Sequence, residues 1–517
     1  MARLKTLMTE ILSHDKTDHS AFRSDLQDEI ISRYELLDVF KEVLEQDKEE
    51  KVKHLAVCTV LCAKCSNKWF LDSMQTVLQT KDFSVVKEIL EMGFVPPIKN
   101  KEHYIFDKND FEGVANIAVT VTSVFNIMLE KFSEEFETND ILRAFISQIL
   151  PELLYLILEH VDEKLWSSEL SMVVTKNILR LIKQLYKCEL DADLLASNKC
   201  LTKDDALRTA ESSILNQMLK ILIPRLSKHQ WKKHPGAKSV FQWCLFNTSF
   251  PNLYDHLEKV LPPSLMFVDD YILDNKIVGI QCLHHIMDNM SSEQLRWYGR
   301  ADVIYQALKH QMYTNEVTLN EVSYPAMLTI LNIVEKFPGH TDDIVERKTA
   351  KHEEIFLIIL QNAECENKIA LRQILTNNLI DFVEVMGLLT VKYLEKIIQI
   401  IDDYLQVYEG PEEISRLNVL NLLQKVIKNT WPRIPHYIEN ILRMLMKFLC
   451  NLSIQESERP EKSTLLLADK VTTCLKLLKL IGGDKCVLLI KSVDSPELPP
   501  LCVKVLKDVL YSVDCTG

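Results

Sequence analysis

The sequence predicts an all-α protein built as an α-solenoid. Two observations carry that prediction: glycine is nearly absent, and apolar residues recur at helical spacing along most of the chain. Glycine occurs 11 times in 517 residues, about a third of what an average composition would supply. Tight hairpins, strand bulges and phosphate-cradling loops all draw on glycine's positive-φ freedom. A chain that almost dispenses with it is left with helices joined by short polar turns. Hydrophobic residues make up 47%, which is ample for a continuous core and too high for a disordered chain.

Taken from the N-terminus, Arg3 and Lys5 are followed by Thr6, Thr9 and Glu10, which break any apolar run of the secretory type. Residues 45–51 read as a charged loop. Leu55, Val57, Val60 and Leu61 then mark an apolar helix that also carries Cys58, Cys62 and Cys65. Val119, Val121 and Val124 with Thr120 and Thr122 alternate like a strand, but Ile117, Val124, Ile127 and Met128 restore the helical spacing, and we read helix. Residues 151–160 and 172–185 read as a helix pair. Residues 211–226 form another helix, followed by a polar break at 228–236 and a helix through Val240, Trp243, Cys244 and Leu245. Charged loops are expected at 99–110, 133–140, 190–205, 336–341 and 455–463. The 190–205 stretch is the best internal boundary, giving an N-terminal helical half at 1–200 and a C-terminal half at 201–517, continuous with the first.

The clearest repeat unit lies near the C-terminus. Ile414, Leu417, Leu420, Leu423 and Ile427 recur at spacings of three and four, widened by Val419, Leu422 and Val426. Pro411 is placed as a first-turn proline, with Glu412 and Glu413 in the electropositive first turn. Asn429, Thr430 and Pro432 break this helix, and Ile438, Ile441, Leu442, Leu445 and Phe448 mark the next. A helix, a turn and a helix in about 40 residues is the size of a HEAT-type repeat, which needs neighbours to bury its faces.

The formal charge is −13, a sign that repels phosphate backbones and anionic lipid. Neither nucleic acid nor membrane is expected as a partner, and no stretch approaches about 18 uninterrupted apolar residues. Thirteen cysteines, among them Cys244, Cys282, Cys450 and Cys474 in apolar stretches, look like reduced core thiols. The glycosylation triplets beginning at Asn247, Asn289 and Asn451 are then unused, and the chain is expected in the cytoplasm and nucleus.

Chemistry was sought motif by motif. Cys58, Cys62 and Cys65, with His54 one turn upstream, have the ligand types of a zinc site. The competing reading, which we favour, is small core residues on an apolar helix. His284 and His285 are adjacent on a helix, about 100° apart, so they cannot chelate as an i,i+4 pair would; a capped or buried role is expected. Arg225, Lys228, His229, Lys232, Lys233, His234 and Lys238 surround Trp231. They read as a solvated turn between helices, or else as a receiver for an acidic partner segment. No phosphate-loop, dinucleotide, nucleophile-elbow or calcium-loop motif is present, and His352-Glu353-Glu354 lacks the second histidine of a zinc protease. No catalytic, cofactor or metal residue is nominated.

Residues 261–286 read LPPSLMFVDDY, then NKIVG, then CLHHI. As a repeat unit, Pro262 and Pro263 would open a short helix, Asp269 and Asp270 would end it and form the turn, and Gly279 would let the second helix approach closely. We expect Asp269, Asp270, Asn275, Lys276 and Gly279 to hold this repeat together. The string also resembles the Tti-two family. Two further matches follow the same order: Val407-Tyr408-Glu409-Gly410-Pro411-Glu412-Glu413 with Thr430-Trp431-Pro432-Arg433, and Trp231, His234-Pro235 with Val240-Phe241-Gln242-Trp243.

The resemblance implies a non-catalytic subunit of the Tel–Tti–Tti (TTT) cochaperone complex, bound to the large Tti subunit and the Tel subunit. Through the heat-shock chaperone machinery that complex matures phosphatidylinositol-3-kinase-related kinases, the class of mTOR, ATM and ATR. Glu409, Gly410, Trp431 and Arg433, placed near turns, are the expected partner-binding residues. The alternatives are a transport or trafficking adaptor of the same repeat class, and an enzyme using a metal at the Cys58 cluster.

Overall fold

The computed structural model describes residues 2–13, 20–98, 105–196, 213–335, 350–410, 412–454, 461–493 and 498–511. Among these the regular elements are helices, with no strand. The contacts divide the chain into two compact units, Met1–Met266 and Phe267–Gly517.

The first unit runs through α1 (Ala2–Ser13), α2 (Ser20–Arg33), α3 (Leu36–Glu45), α4 (Lys48–Lys64), α5 (Asn67–Thr80), α6 (Ser84–Met92), α7 (Val114–Lys131), α8 (Asp140–His160), α9 (Glu169–Leu185), α10 (Asp191–Ala196), α11 (Ile214–Arg225), α12 (Pro235–Phe246) and most of α13 (Leu257–Val268). Helices α1, α4, α7 and α9 pack side by side as one layer. Helix α8 is enclosed by α5, α6, α7, α9, α11 and α12. From Phe145 to His160 nearly every side chain of α8 is buried, Pro151 included. A helix apolar on all sides is stable only in such an enclosure.

The second unit contains α14 (Leu273–Asp288), α15 (Ser292–Arg296), α16 (Arg300–Gln311), α17 (Val317–Val334), α18 (Ala350–Cys365), α19 (Ile369–Met386), α20 (Leu394–Gln406), α21 (Ile414–Asn429), α22 (Ile438–Ile454), α23 (Glu461–Val493) and α24 (Pro500–Leu510). Successive helices alternate between two layers. One layer packs α14, α17, α19, α21 and α23 in series, and the other α18, α20, α22 and α24. Each rung is cross-braced, as α20 is on α21 and α22 on α23. Several side-chain hydrogen bonds tie neighbouring rungs at sequence separations of 45 or 46: His284 to Thr329, Asn418 to Gln373 O, Asn429 to Val383 O, Asn451 to Gln406 and Gln424 to Lys470 O. That constant offset is the repeat period, and it lies in the HEAT-type range. The expected α-solenoid of HEAT-like repeats is thus present in the packing, although the sequence shows little self-similarity.

Several local expectations are corrected. Pro262 and Pro263 lie inside α13, not at its start, so two backbone N–H donors are missing mid-helix while the helix still ends before Asp269 as expected. Helix α21 begins at Ile414, so Glu412 and Glu413 precede its first turn; Pro411 lies outside the described residues. The charged stretch 45–51 is only a two-residue break, because α4 starts at Lys48. The loops expected at 336–341, half of 99–110 and most of 190–205 and 455–463 fall outside the described residues. Three stretches, Lys108–Lys131, Asp140–His160 and Ile369–Gln406, are long and apolar enough by length and composition to cross a bilayer, which a count of uninterrupted apolar residues missed. In Asp140–His160, 72% of the apolar window is buried inside the protein.

Candidate partner-binding surface

The residues expected to contact partners flank a single helix. Glu409 and Gly410 precede α21, and Trp431 and Arg433 follow it. Sixteen helical residues span about 24 Å, so the four residues sit at opposite edges of the two-layered unit and do not form one patch.

At the first edge the chemistry points inward. Glu409 Oε2 accepts a hydrogen bond from the Ser415 amide at 3.0 Å, satisfying one of the free donors at the start of α21. Gly410 has φ +102°, open only to glycine without strain. Glu413 is held at φ 52° and takes two bonds from Arg416 Nη1, at 3.1 and 3.0 Å. Both side chains of this pair are almost fully buried, and the guanidinium lies 5.4 Å over the Phe448 ring. The edge is a rigid corner, with Val407 and Tyr408 partly exposed on it.

The opposite edge points outward. Thr430 Oγ donates to Val426 O at 2.6 Å, and Asn429 Nδ2 to Val383 O at 3.0 Å, which ends α21 and ties it to α19. Ile434 then plugs the core. Between these anchors Trp431 is 59% exposed, and Pro432 and Arg433 project beside it.

The five residues of the 261–286 string divide similarly. Asp270 is buried and accepts from Asn275 Nδ2 at 2.5 Å, bridging the turn between α13 and α14. Lys276 Nζ donates to Gln311 Oε1 at 3.0 Å, and Gln311 reaches Val268 O at 3.4 Å. A Cβ on Gly279 would sit 2.4 Å from Val268 N and 2.8 Å from Phe267 C, so α14 crosses the end of α13 at backbone contact. Asp269 is exposed and lies outside this cluster.

Other sequence candidates are placed as follows. Cys58, Cys62 and Cys65 are buried; burial pushes the Cys58 thiol up to about 12, Cys65 up to about 11, and Cys62 well above its ordinary value. His54 Nδ1 faces Glu50 O at 2.8 Å. Among the described residues no group of three or more His, Cys, Asp or Glu could hold a metal ion. His284 meets Thr329 Oγ1 at 3.1 Å, and His285 is half-buried beside Asn289. His352 is buried with Nδ1 2.6 Å from Glu335 Oε2. In the basic cluster, Arg225 turns inward over the Tyr155 and Phe94 rings, at 4.8 and 5.4 Å, and Trp231 is buried, while Lys228 and His229 are exposed.

Sequence reading missed four buried acids: Glu42, Glu335 and two that shape the core around them. One is Glu413; its only signal was Arg416 three residues on. The other is Glu159 on α8, which accepts from the Val95 amide at 2.8 Å. Burial pushes its carboxyl up to about 8, against the Val95 amide, the Tyr155 hydroxyl and the nearby Arg225. A Cβ on Gly236 would lie 2.1 Å from Glu159 Oε1.

The arrangement defines a helical-repeat protein with outward-facing turns at one edge of its second unit. Residues 219–410 match the Tti2 family model, so the resemblance read from the sequence motifs holds, although Trp431 and Arg433 lie beyond the matched segment. The rat protein called TELO2-interacting protein 2 is 36% identical over 313 residues, 60% of this chain and 59% of that one. The human protein of the same name is 35% identical over 327 residues, 63% and 61% of the two chains. The chain thus spans about three-fifths of the length of the curated relatives it matches. Among solved structures, Kap95p bound to RanGDP is 13% identical with a TM-score of 0.43, over 93% of this chain and 62% of that one. Kap121p bound to Nup53p is 11% identical with a TM-score of 0.41, over 95% and 55%.

Proposed function

We propose that this chain is a non-catalytic scaffold subunit of a TTT-type cochaperone complex, acting in the cytoplasm and nucleus. In that role it binds the large Tti subunit and the Tel subunit. With the heat-shock chaperone machinery, the assembly supports the folding and stability of phosphatidylinositol-3-kinase-related kinases. The observation that carries this reading is the Tti2 match to residues 219–410, which falls on stacked helix pairs. Relatives that match more than 300 residues of the chain are named for interacting with TELO2. A repeat array offers extended faces on which an interface of about 1,600 Å² or more is readily built.

The test is affinity purification of the tagged chain from its own cells, with mass spectrometry of what co-purifies. Two large helical-repeat chains at near-equal stoichiometry, with traces of the giant kinases, are the expected result. Recovery of importins or small GTPases, or of no partner, would overturn the reading. The isolated chain is also expected to aggregate or degrade faster than when co-expressed with the large Tti subunit.

A further inference from the structure

The edge of the second unit where α19 and α21 end carries apolar side chains that the core does not use. Leu388, 65% exposed, and Val391 stand on the 3₁₀ stretch Gly387–Tyr393, which packs on α21. Trp431, 59% exposed, follows on the next rung. The 3₁₀ turn Ile434–His436 packs on α23, and a Cβ on Gly482 would sit 2.4 Å from Ile438 Cδ1. That close approach brings Leu480, 66% exposed, onto the third rung of the same edge. Each rung therefore exposes an apolar group, about one helix-packing distance from the next.

The charge on this edge runs against that of the chain. The whole carries −13, yet Lys428, Arg433 and Lys485 are exposed around Trp431 and make no ion pair among the described residues. The acids at the border are largely spoken for. Glu384 pairs with Lys425 at 2.7 Å, Glu353 with Lys392 at 2.8 Å and Glu439 with Arg443 at 3.1 Å, while Asp484 and Glu395 are exposed on the edge. Helix dipoles do not decide the sign, because the C-terminal ends of α19 and α21 and the N-terminal ends of α20 and α22 open on the same edge. The side-chain cations do.

We propose that this edge, centred on Trp431 and Arg433, docks an acidic segment of a partner polypeptide that lays apolar side chains along Leu388, Val391, Trp431 and Leu480. The proposal rests on the scaffold reading above and adds the chemistry of the partner. Charge complementarity selects an acidic segment. A protein segment is favoured over nucleic acid because the apolar groups alternate with the cations, and the net negative charge of the chain opposes a continuous polyanion.

The test places the photo-cross-linker benzoylphenylalanine in the full chain at Leu388, Trp431 or Leu480, one at a time, and at exposed Tyr313 in the turn between α16 and α17 as the opposite-edge control. After irradiation in cells the cross-linked peptide is identified and resynthesised, and its binding to the purified full chain is followed by fluorescence anisotropy. One Asp/Glu-rich segment is expected from all three edge positions. The synthetic peptide should weaken at least 10-fold with Arg433→Glu or Lys485→Glu, and equally when its acids are replaced by amides. Cross-links at Tyr313 alone, a segment without acids, cross-linked nucleic acid, or an affinity indifferent to both charge changes would overturn the proposal. If TTT-type partners still co-purify in any of those cases, the scaffold reading stands and only the docking edge is wrong. Both glutamate substitutions fall on exposed side chains, and the amide peptide tests charge with the chain unaltered.

Discussion

One deeply buried acid in each unit is accommodated in an opposite way. In the second, Glu413 sits within 3.1 Å of Arg416, and the two charges enter the core together. In the first, Glu159 enters with a backbone amide and a phenol as hydrogen-bond partners, and burial drives it towards the neutral form, at about 8. A two-layered repeat leaves each turn near water, where an ion pair can assemble at a helix start. The enclosed helix α8 has no such access at Glu159, so protonation does the work that a counter-ion does elsewhere. The lesson is that one residue type in one fold can be a fixed charge or a titrating acid, depending on how many layers cover it.

The comparison is tested most severely at Arg416. Arg416→Met leaves Glu413 buried without its cation, and a loss of about 3–5 kcal/mol is expected from the urea midpoint of the full chain. Adding Glu413→Gln should restore a large part of it. If the double variant is no more stable than the single one, the pair is not the unit we describe.

Next in size are the two glycines against which these regions are packed. Gly279→Ala would press a methyl on the backbone of Phe267 and Val268, which cannot rotate away, and should cost about 1–3 kcal/mol. Gly236→Ala meets the end of the Glu159 side chain, which can swing at the expense of its bond from Val95, so the smaller loss is expected there. The reverse order in thermal melts would show that α12 and α8 are the more rigid contact.

The pH response separates the units without disrupting either. Glu159 is raised from 4.5 to about 8. The folded state therefore binds more protons than the unfolded state between those values, and stability falls as pH rises through the window. His160 is lowered by burial from 6.5 to about 4, so stability rises with pH between 4 and 6.5. The two slopes oppose each other below pH 6.5, and from 6.5 to 8 Glu159 acts without His160. Across that upper range Glu159→Gln should remove a decline approaching ~1.4 kcal/mol per unit, read as the difference between the two midpoint curves. Parallel curves would mean that Glu159 is ionised in the fold.

The smallest effect on stability is expected at the outward edge. Trp431→Ala removes a side chain that fills no core position, and a change within about 0.5 kcal/mol is anticipated in the same urea titration. A larger loss would make Trp431 a packing residue and remove it from the interface.

Much of the fold was legible. The spacing from Ile414 to Ile427 and from Ile438 to Phe448 located α21 and α22, and the helical reading of the 117–128 stretch is met by α7. The helix starts were less so. Glu412 and Glu413 look like first-turn acids, but Glu413 takes a left-handed conformation, and Glu409, six residues before its target, supplies the hydrogen bond to Ser415. The prolines at 262 and 263 look like a start signal and lie mid-helix, since packing outweighs two lost backbone hydrogen bonds.

By itself the sequence determined that this protein is helical, repeated and poor in tight turns, because glycine content and 3.6-residue periodicity act locally. Tertiary structure alone decided which carboxylates are buried and that Glu409 and Trp431 face different edges. It also placed Leu388, Trp431 and Leu480, scattered over some 90 residues, beside the ends or the kink of α19, α21 and α23, which pack in series. The reason is physical: burial, pKa and surface adjacency depend on what lies one repeat away, and a 45-residue offset between dissimilar repeats leaves little mark on the neighbouring residues in the chain.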